Sequence, residues 1–382
     1  MAVAPDVAVI GAGTFGAWTA WHLRAAGHRV TLVEAFAAGH SRASSGGESR
    51  IIRRGYGDRA LYSRWAQASL SQWKALFTQS GQALFLETGV LWLGHDEDPH
   101  VDASERILAG LGVATEPLTR EELAARFPQL DPGSAARAVL EPGGGVLLAR
   151  RAVRAVVDQA RRRGVDCRVA SVAPPGRARR VDALELGDGR RLSAGAFVFA
   201  CGPWLPKLFP RLLDPLLRVT RQEVFFFGPP AGDPRFAPPA MPVWIDFPAG
   251  AYGLPDIEGR GVKIGLTALG PAFDPDGGDR TPSAAGLSAA RQVAAARLPA
   301  LRGAPLLEAR VCQYTNTPSG DLLLDRHPDH ANVWIAGGGS GHGFKLGPAV
   351  GAYLASQVAG TAPAEDLVTL AAHRAGGGRT VL

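Results

Sequence analysis

Gly11-Ala12-Gly13-Thr14-Phe15-Gly16 is a G-x-G-x-x-G pattern, and Glu34 follows 18 residues after its last glycine. These residue types at this spacing suit a dinucleotide. Gly11 permits a tight turn, Gly13 lets a pyrophosphate approach the backbone, and Gly16 lets a helix pack close to a strand. Thr14 and Phe15 open the helix, where free N–H groups and the positive dipole end attract phosphate. Glu34 can accept from ribose hydroxyls, and an acid there disfavours a 2′-phosphate. A second glycine loop, Gly337-Gly338-Gly339-Ser340-Gly341-His342-Gly343-Phe344-Lys345, lies far along the chain. A simple NAD domain has no need of it, whereas an extended FAD does. Gly341, His342, Gly343, Phe344 and Lys345 are therefore candidate cofactor contacts. The same loop excludes a serine nucleophile, because G-x-S-x-G around Ser340 needs glycine where His342 stands.

Arg42-Ala43-Ser44-Ser45-Gly46-Gly47-Glu48-Ser49-Arg50 is polar and glycine-bearing, and it runs into Ile51-Ile52-Arg53-Arg54. Arg50 and Arg53, beside a cofactor unit, could hold an anion or form a solvated basic loop. Ser44 and Ser49 are candidate cofactor contacts. Only four of the 41 basic residues are lysine: Lys74, Lys207, Lys263 and Lys345. Arginine keeps its proton and acts as a fork, whereas lysine is a point charge. A lysine retained in so arginine-rich a chain is a candidate for a role guanidinium cannot fill. His95-Asp96-Glu97-Asp98-Pro99-His100 reads as a loop broken by Pro99, and no metal site is expected.

The elements that position these groups show as apolar periodicity. Val7-Ala8-Val9-Ile10 and Val30-Thr31-Leu32-Val33 flank a helical pattern at Ala17, Ala20, Leu23 and Ala26. Helices are predicted over 60–78, 152–163, 284–298 and 348–358, and strands over 85–93, 167–172, 196–200 and 332–336. Residues 181–192 read as a hairpin turning at Gly187-Asp188-Gly189. Val172 ends one strand, and Gly202 and Trp204 follow another; all three are candidate cofactor contacts. Runs at 224–227, 242–245 and 262–266, with Gly/Pro turns between them, predict an antiparallel sheet. Gly376-Gly377-Gly378 is expected to fray.

Composition narrows the class. Hydrophobic residues make up 46% and charged residues 20%, as in globular proteins. No run of 18 apolar residues exists, so no membrane span is expected. The first apolar run lacks a cationic lead-in and meets a glycine motif, unlike a signal peptide. The three cysteines make no disulfide framework, which suits a reducing, cytoplasmic setting. The net charge of +6 is scattered, and the arginine runs at 161–163 and 177–180 have no interleaved aromatics, so nucleic acid is not expected as a partner.

Three segments carry a resemblance: SSGGESRIIRRGY over 44–56, VCQYTNTPSGDLLLDRHP over 311–328, and GHGFK over 341–345. With both glycine loops, the chain resembles FAD-dependent amine oxidases of the D-amino-acid-oxidase superfamily over nearly its whole length. The nearest subgroup is that of monomeric sarcosine oxidase, N-methyltryptophan oxidase and pipecolate oxidase. The resemblance implies that Cys312 holds the flavin 8α-methyl through a thioether, a reaction of a thiolate. It implies that Lys263 lies over the flavin near N5, where a cation favours reduction of O2, with Arg50 at the flavin face. It implies that Arg53 and Lys345 bind the substrate carboxylate and that Tyr252 and Tyr314 line the site. Four positions depart from sarcosine oxidase toward smaller side chains: Thr267 for a site His, Ser45 and Gly46 for paired His, and Gly339 for a common Phe. A roomier site is expected.

The expected fold class is α/β plus α+β: a Rossmann-like FAD-binding domain and a discontinuous second domain on a mixed, largely antiparallel sheet. The expected FAD-binding domain takes 1–80, 145–215 and 312–382; the substrate-binding domain takes 81–144 and 216–311. The expected reaction is FAD-dependent oxidation of a secondary-amine amino acid, N-methyl or cyclic. Hydride passes to flavin N5, and O2 is then reduced to H2O2. The partners are an amino-acid substrate and O2, and a monomer is expected. The alternatives are a biosynthetic oxidase of a cyclic imino acid and a non-catalytic flavin-binding subunit of a larger complex.

Overall fold

The computed structural model describes residues 6–96 and 99–374; the Gly376–Gly378 tail lies outside them. A six-stranded sheet runs in the order Leu323–Arg326, Val333–Gly337, Ala196–Phe199, Val7–Ile10, Val30–Glu34, Asp166–Val169. Its pairings are parallel except at the Leu323–Arg326 edge. The four inner strands are largely apolar on both faces, as a sheet covered on two sides requires. Val7, Val9, Val30, Leu32 and Val198 join a core shared with the helices Thr14–Ala25, Ala60–Ser80, Ala149–Arg162 and Gly347–Ala359. Their alternates Ala8, Ile10, Val33, Phe197 and Phe199 face the hairpin Ala183–Ser193 and the segment 205–217.

An eight-stranded sheet runs in the order Leu306–Asn316, Arg218–Phe227, Val262–Leu266, Ala251–Leu254, Val243–Asp246, Val90–Gly94, Arg137–Glu141, Glu116–Thr119. It is antiparallel except where Val243–Asp246 meets Val90–Gly94. Side chains alternate between its faces. Phe225, Phe227, Val262, Ile264 and Trp244 pack with the helix Ala284–Arg297. The opposite face carries Arg310, Cys312, Tyr314, Val224, Phe226, Lys263 and Tyr252, and it becomes a chamber wall. The two sheets bear out the expected fold class. No described helix is long and apolar enough to cross a membrane.

Several local forecasts needed correction. The strand expected over 85–93 is two, Phe85–Leu86 and Val90–Gly94, parted where Gly89 adopts φ +75°. Pro99 does not end a loop; it opens the helix Pro99–Gly110, since the first helical turn has no need of the proline N–H. Ala251–Leu254 has no forecast at all: Gly250 and Gly253 mask a strand that packing nonetheless forms. A short sheet of Arg50–Ile52, Gly145–Leu147 and Phe85–Leu86 links the polar loop to the rest.

Candidate active site

A cleft of about 360 Å³ begins at Gly11, Gly13 and Glu34 and ends at Tyr314, Gly341 and Phe344. A chamber of about 120 Å³ adjoins it. Arg50, Tyr314, Gly341 and Phe344 border both spaces and form the junction.

The cleft is built where the two glycine loops touch. Thr14 Oγ1 donates to the Phe344 carbonyl at 3.1 Å, and Gly343 has the Phe15 ring where a Cβ would stand, 2.8 Å away. Gly13 caps the helix Thr14–Ala25 with no side-chain bond, and the first turn holds no acid. Its N–H groups and dipole are left for an anion. Glu34 is poised nearby, with Oε2 accepting from the Ala12 N–H at 2.8 Å. Ser44, Val172, Gly202 and Trp204 complete the expected walls.

Lys263, Arg53, Lys345, Tyr252 and Cys312 meet in the chamber although spread over most of the chain. Register explains part of this. Lys263 pairs with Phe226, Cys312 with Gln222, and Tyr252 with Gly265, all on one sheet face. Gly265 makes room for Tyr252, whose ring carbons lie 2.3 Å from where a Cβ would be. The Tyr252 and Tyr314 hydroxyls are hydrogen-bonded to each other, and burial raises both pKa values. Lys263 is 4% exposed and donates to the Ser49 carbonyl at 3.1 Å. Burial, then the neighbouring Arg50 charge, brings its ammonium down to about 7.

Arg53 and Lys345 are each 4% exposed. Lys345 Nζ donates to the His342 carbonyl at 2.9 Å, and Arg53 Nη1 donates to the Gly55 carbonyl. Among the described residues neither cation forms an ion pair. The nearby Glu141 is taken by Arg54 at 2.7 Å and by the Arg54 N–H at 2.9 Å. Burial lowers the pKa of both cations, and Arg53 lowers Lys345 further. Two buried charges without counterions, facing a cavity, are suited to an anion. The remaining chamber wall is mainly apolar, with Ile51, Val224, Phe226, Ile245, Phe247 and Leu254.

Residues 6–357 match the family model described as DAO, FAD dependent oxidoreductase. The chain belongs to this family of FAD-dependent oxidoreductases. Peroxisomal sarcosine oxidase of Homo sapiens is 32% identical over 378 residues, covering 95% of this chain and 94% of that protein. Monomeric sarcosine oxidase of Bacillus sp. strain B-0618 is 31% identical over 381 residues, covering 96% and 94%. The crystal structure of L-proline dehydrogenase from P. horikoshii matches with a TM-score of 0.87 at 22% identity, covering 99% and 100%, a likeness of fold.

The residues present in this oxidoreductase fit FAD. The uncapped helix end suits the pyrophosphate, Glu34 the ribose, and the junction the ring system. Five expected contacts lie elsewhere. Gly16 does not line the cleft. A Cβ there would lie 1.8 Å from the Gly11 carbonyl oxygen, so its role is packing, as the third glycine of the motif implies. Ser49 sits behind Lys263 as its acceptor. Cys312, His342 and Lys345 line the chamber and not the cleft. Gly16→Ala is expected to cost about 1–3 kcal/mol of stability and to lower bound flavin, checked by thermal melting and flavin absorbance per chain.

Other residues had gone unnoticed. Gln313, between Cys312 and Tyr314, lines the cleft, although strand alternation turns its side chain away from theirs. Tyr56, Trp92 and Phe247 surround the Arg53 guanidinium at 4.3, 4.9 and 5.7 Å. Tyr56 stands within the GESRIIRRGY stretch, but Trp92 and Phe247 come from other elements with no local signal.

Proposed function

We propose that this oxidoreductase oxidises a secondary-amine amino acid, N-methyl or cyclic, to its imine, with O2 reduced to H2O2. The observation that carries the reading is the pair Arg53 and Lys345, buried cations without a protein counterion beside the junction. Both known relatives above are named sarcosine oxidases, which supports an N-methyl substrate. FAD, when bound, supplies the two-electron acceptor and the route onward to O2.

The chain's own residues do the rest. Arg53 and Lys345 grip the carboxylate and so place the α-carbon toward the junction. Their positive charge also disfavours the substrate ammonium, so the neutral amine, the form able to lose hydride, is favoured. No general base is required for an amine bound in that form. His342 is not a protonated acid, because burial and the Lys345 charge bring it down to about 3. The apolar walls accommodate alkyl groups on nitrogen or the side chain. Thr267 lines the chamber and leaves more room than a histidine would. Lys263 presents a point charge where negative charge develops on O2. The proposed division of labour assigns 1–80, 145–215 and 312–382 to FAD and 81–144 and 216–311 to substrate.

Peroxide release on sarcosine, longer N-methyl amino acids, proline, pipecolate and their decarboxylated counterparts tests this. Turnover on at least one acid, and none on its decarboxylated counterpart, is expected. No peroxide with any amine would overturn the reading.

We further infer that the flavin is covalent through Cys312. Arg50 Nη2 lies 3.6 Å from Cys312 Sγ, a cationic donor suited to a thiolate. Cys312 borders the chamber. Burial raises the pKa of Cys167 and Cys201. Acid precipitation should leave the yellow colour in the wild-type pellet and move all of it to the supernatant in Cys312→Ser. Colour in the wild-type supernatant would refute attachment.

A further inference from the structure

We propose that Tyr56 is a positioning residue that holds Arg53 and Lys345 charged and aimed at the chamber without competing for the substrate carboxylate. This inference rests on the carboxylate-binding reading above. Tyr56 is fully buried, at 0% exposure. The Arg53 guanidinium carbon lies 4.3 Å from its ring centroid and Lys345 Nζ lies 5.0 Å from it. Among the described aromatic contacts, this ring is shared by both cations.

The physical problem is specific. Two like charges buried together repel, and each loses hydration. An Asp or Glu beside them would relieve both effects but would occupy the donors that the substrate needs. Glu141 shows the alternative, since it is consumed by Arg54 and the Arg54 N–H. An aromatic face attracts cations through its quadrupole and accepts none of their N–H bonds in the plane of a carboxylate. It therefore stabilises the charges and leaves their donors free.

Tyr56 is itself held firmly. Its hydroxyl meets His342 Nδ1 at 3.3 Å, and His342 Nε2 meets the Gly320 carbonyl at 2.9 Å. Because a carbonyl only accepts, Nε2 carries the proton and Nδ1 accepts from Tyr56. The flanking backbone is tied too: Gly57 N–H donates to Ser104 Oγ at 2.8 Å. The His342 carbonyl in turn accepts from Lys345 Nζ at 2.9 Å. Tyr56 thus meets both cations through its face, and its hydroxyl holds the side chain of His342, whose backbone carbonyl accepts from Lys345.

The test measures the Kd of methoxyacetate, a carboxylate with no oxidisable amine, from the shift it causes in the holoenzyme's flavin spectrum. Wild type is compared with Tyr56→Phe, Tyr56→Leu, and 3,4,5-trifluorophenylalanine at position 56. Tyr56→Phe keeps the ring and should stay within about threefold of wild type. Tyr56→Leu should weaken binding on the order of tenfold or more. The trifluoro ring keeps the shape but drains the face of negative charge, so it should also weaken binding by several-fold, even if the leucine variant fails to fold. With a substrate from the panel, KM should rise while kcat stays near wild type. Equal Kd for the phenylalanine and trifluorophenylalanine proteins would overturn the role of Tyr56 while leaving the carboxylate reading intact. Failure of the wild type to bind methoxyacetate would overturn that reading, and this inference with it.

Discussion

Lys263→Met is expected to slow the reaction of reduced enzyme with O2 by about 10²–10³-fold. Reduction of the enzyme by substrate without oxygen should change far less. The reason is geometric: Lys263 is anchored on the chamber side of the sheet by hydrogen bonds to Ser49. A preorganised cation acts where charge develops, and it is worth most where water is excluded. Methionine preserves the stem and removes only the charge. Burial, helped by Arg50, brings the lysine down to about 7. The cation is therefore present below that pH and lost above it. The oxygen rate of the wild type should fall as pH rises through this region, and Lys263→Met should flatten the profile. Stopped-flow traces with and without oxygen separate the two half-reactions. An equal loss in both would rule out a role directed at O2.

Arg53→Met and Lys345→Met should each lower kcat/KM for the carboxylated substrate by about 30-fold to several thousandfold. That range is the ~2–5 kcal/mol typical when one partner of a buried charge pair is removed. Burial makes each cation costly to keep in the fold. The single variants should consequently be no less stable than wild type to urea, while binding the substrate far worse. A loss of stability matching the loss of activity would instead indicate a structural role.

Glycine chemistry was legible from consecutive residues. The turn at Gly11–Gly16 and the loop at Gly337–Lys345 need backbone conformations and close approaches that local sequence encodes directly, and Gly11 indeed adopts φ +99°. Alternating strands were legible for the same reason wherever side chains were apolar. The strand Ala251–Leu254 was not, because glycine and neighbouring turns hide its period although sheet pairing forms it. The helix Pro99–Gly110 was masked by a proline that favours a helix start as well as a break.

The sequence alone determined the dinucleotide unit, the second glycine loop, the scarcity of lysine, and the candidate residues on three short segments. Each depends on residue type and spacing within a few residues. Tertiary structure alone decided which candidates meet. Thr14 touches the Phe344 backbone across 330 positions of chain, and Ser49 backs Lys263 across 214. It also decided that His342 and Lys345 face the chamber, and that Tyr56, Trp92 and Phe247 surround Arg53. These proximities follow from strand register, sheet crossover and close packing, which sum interactions over the whole chain and leave no mark at any one position.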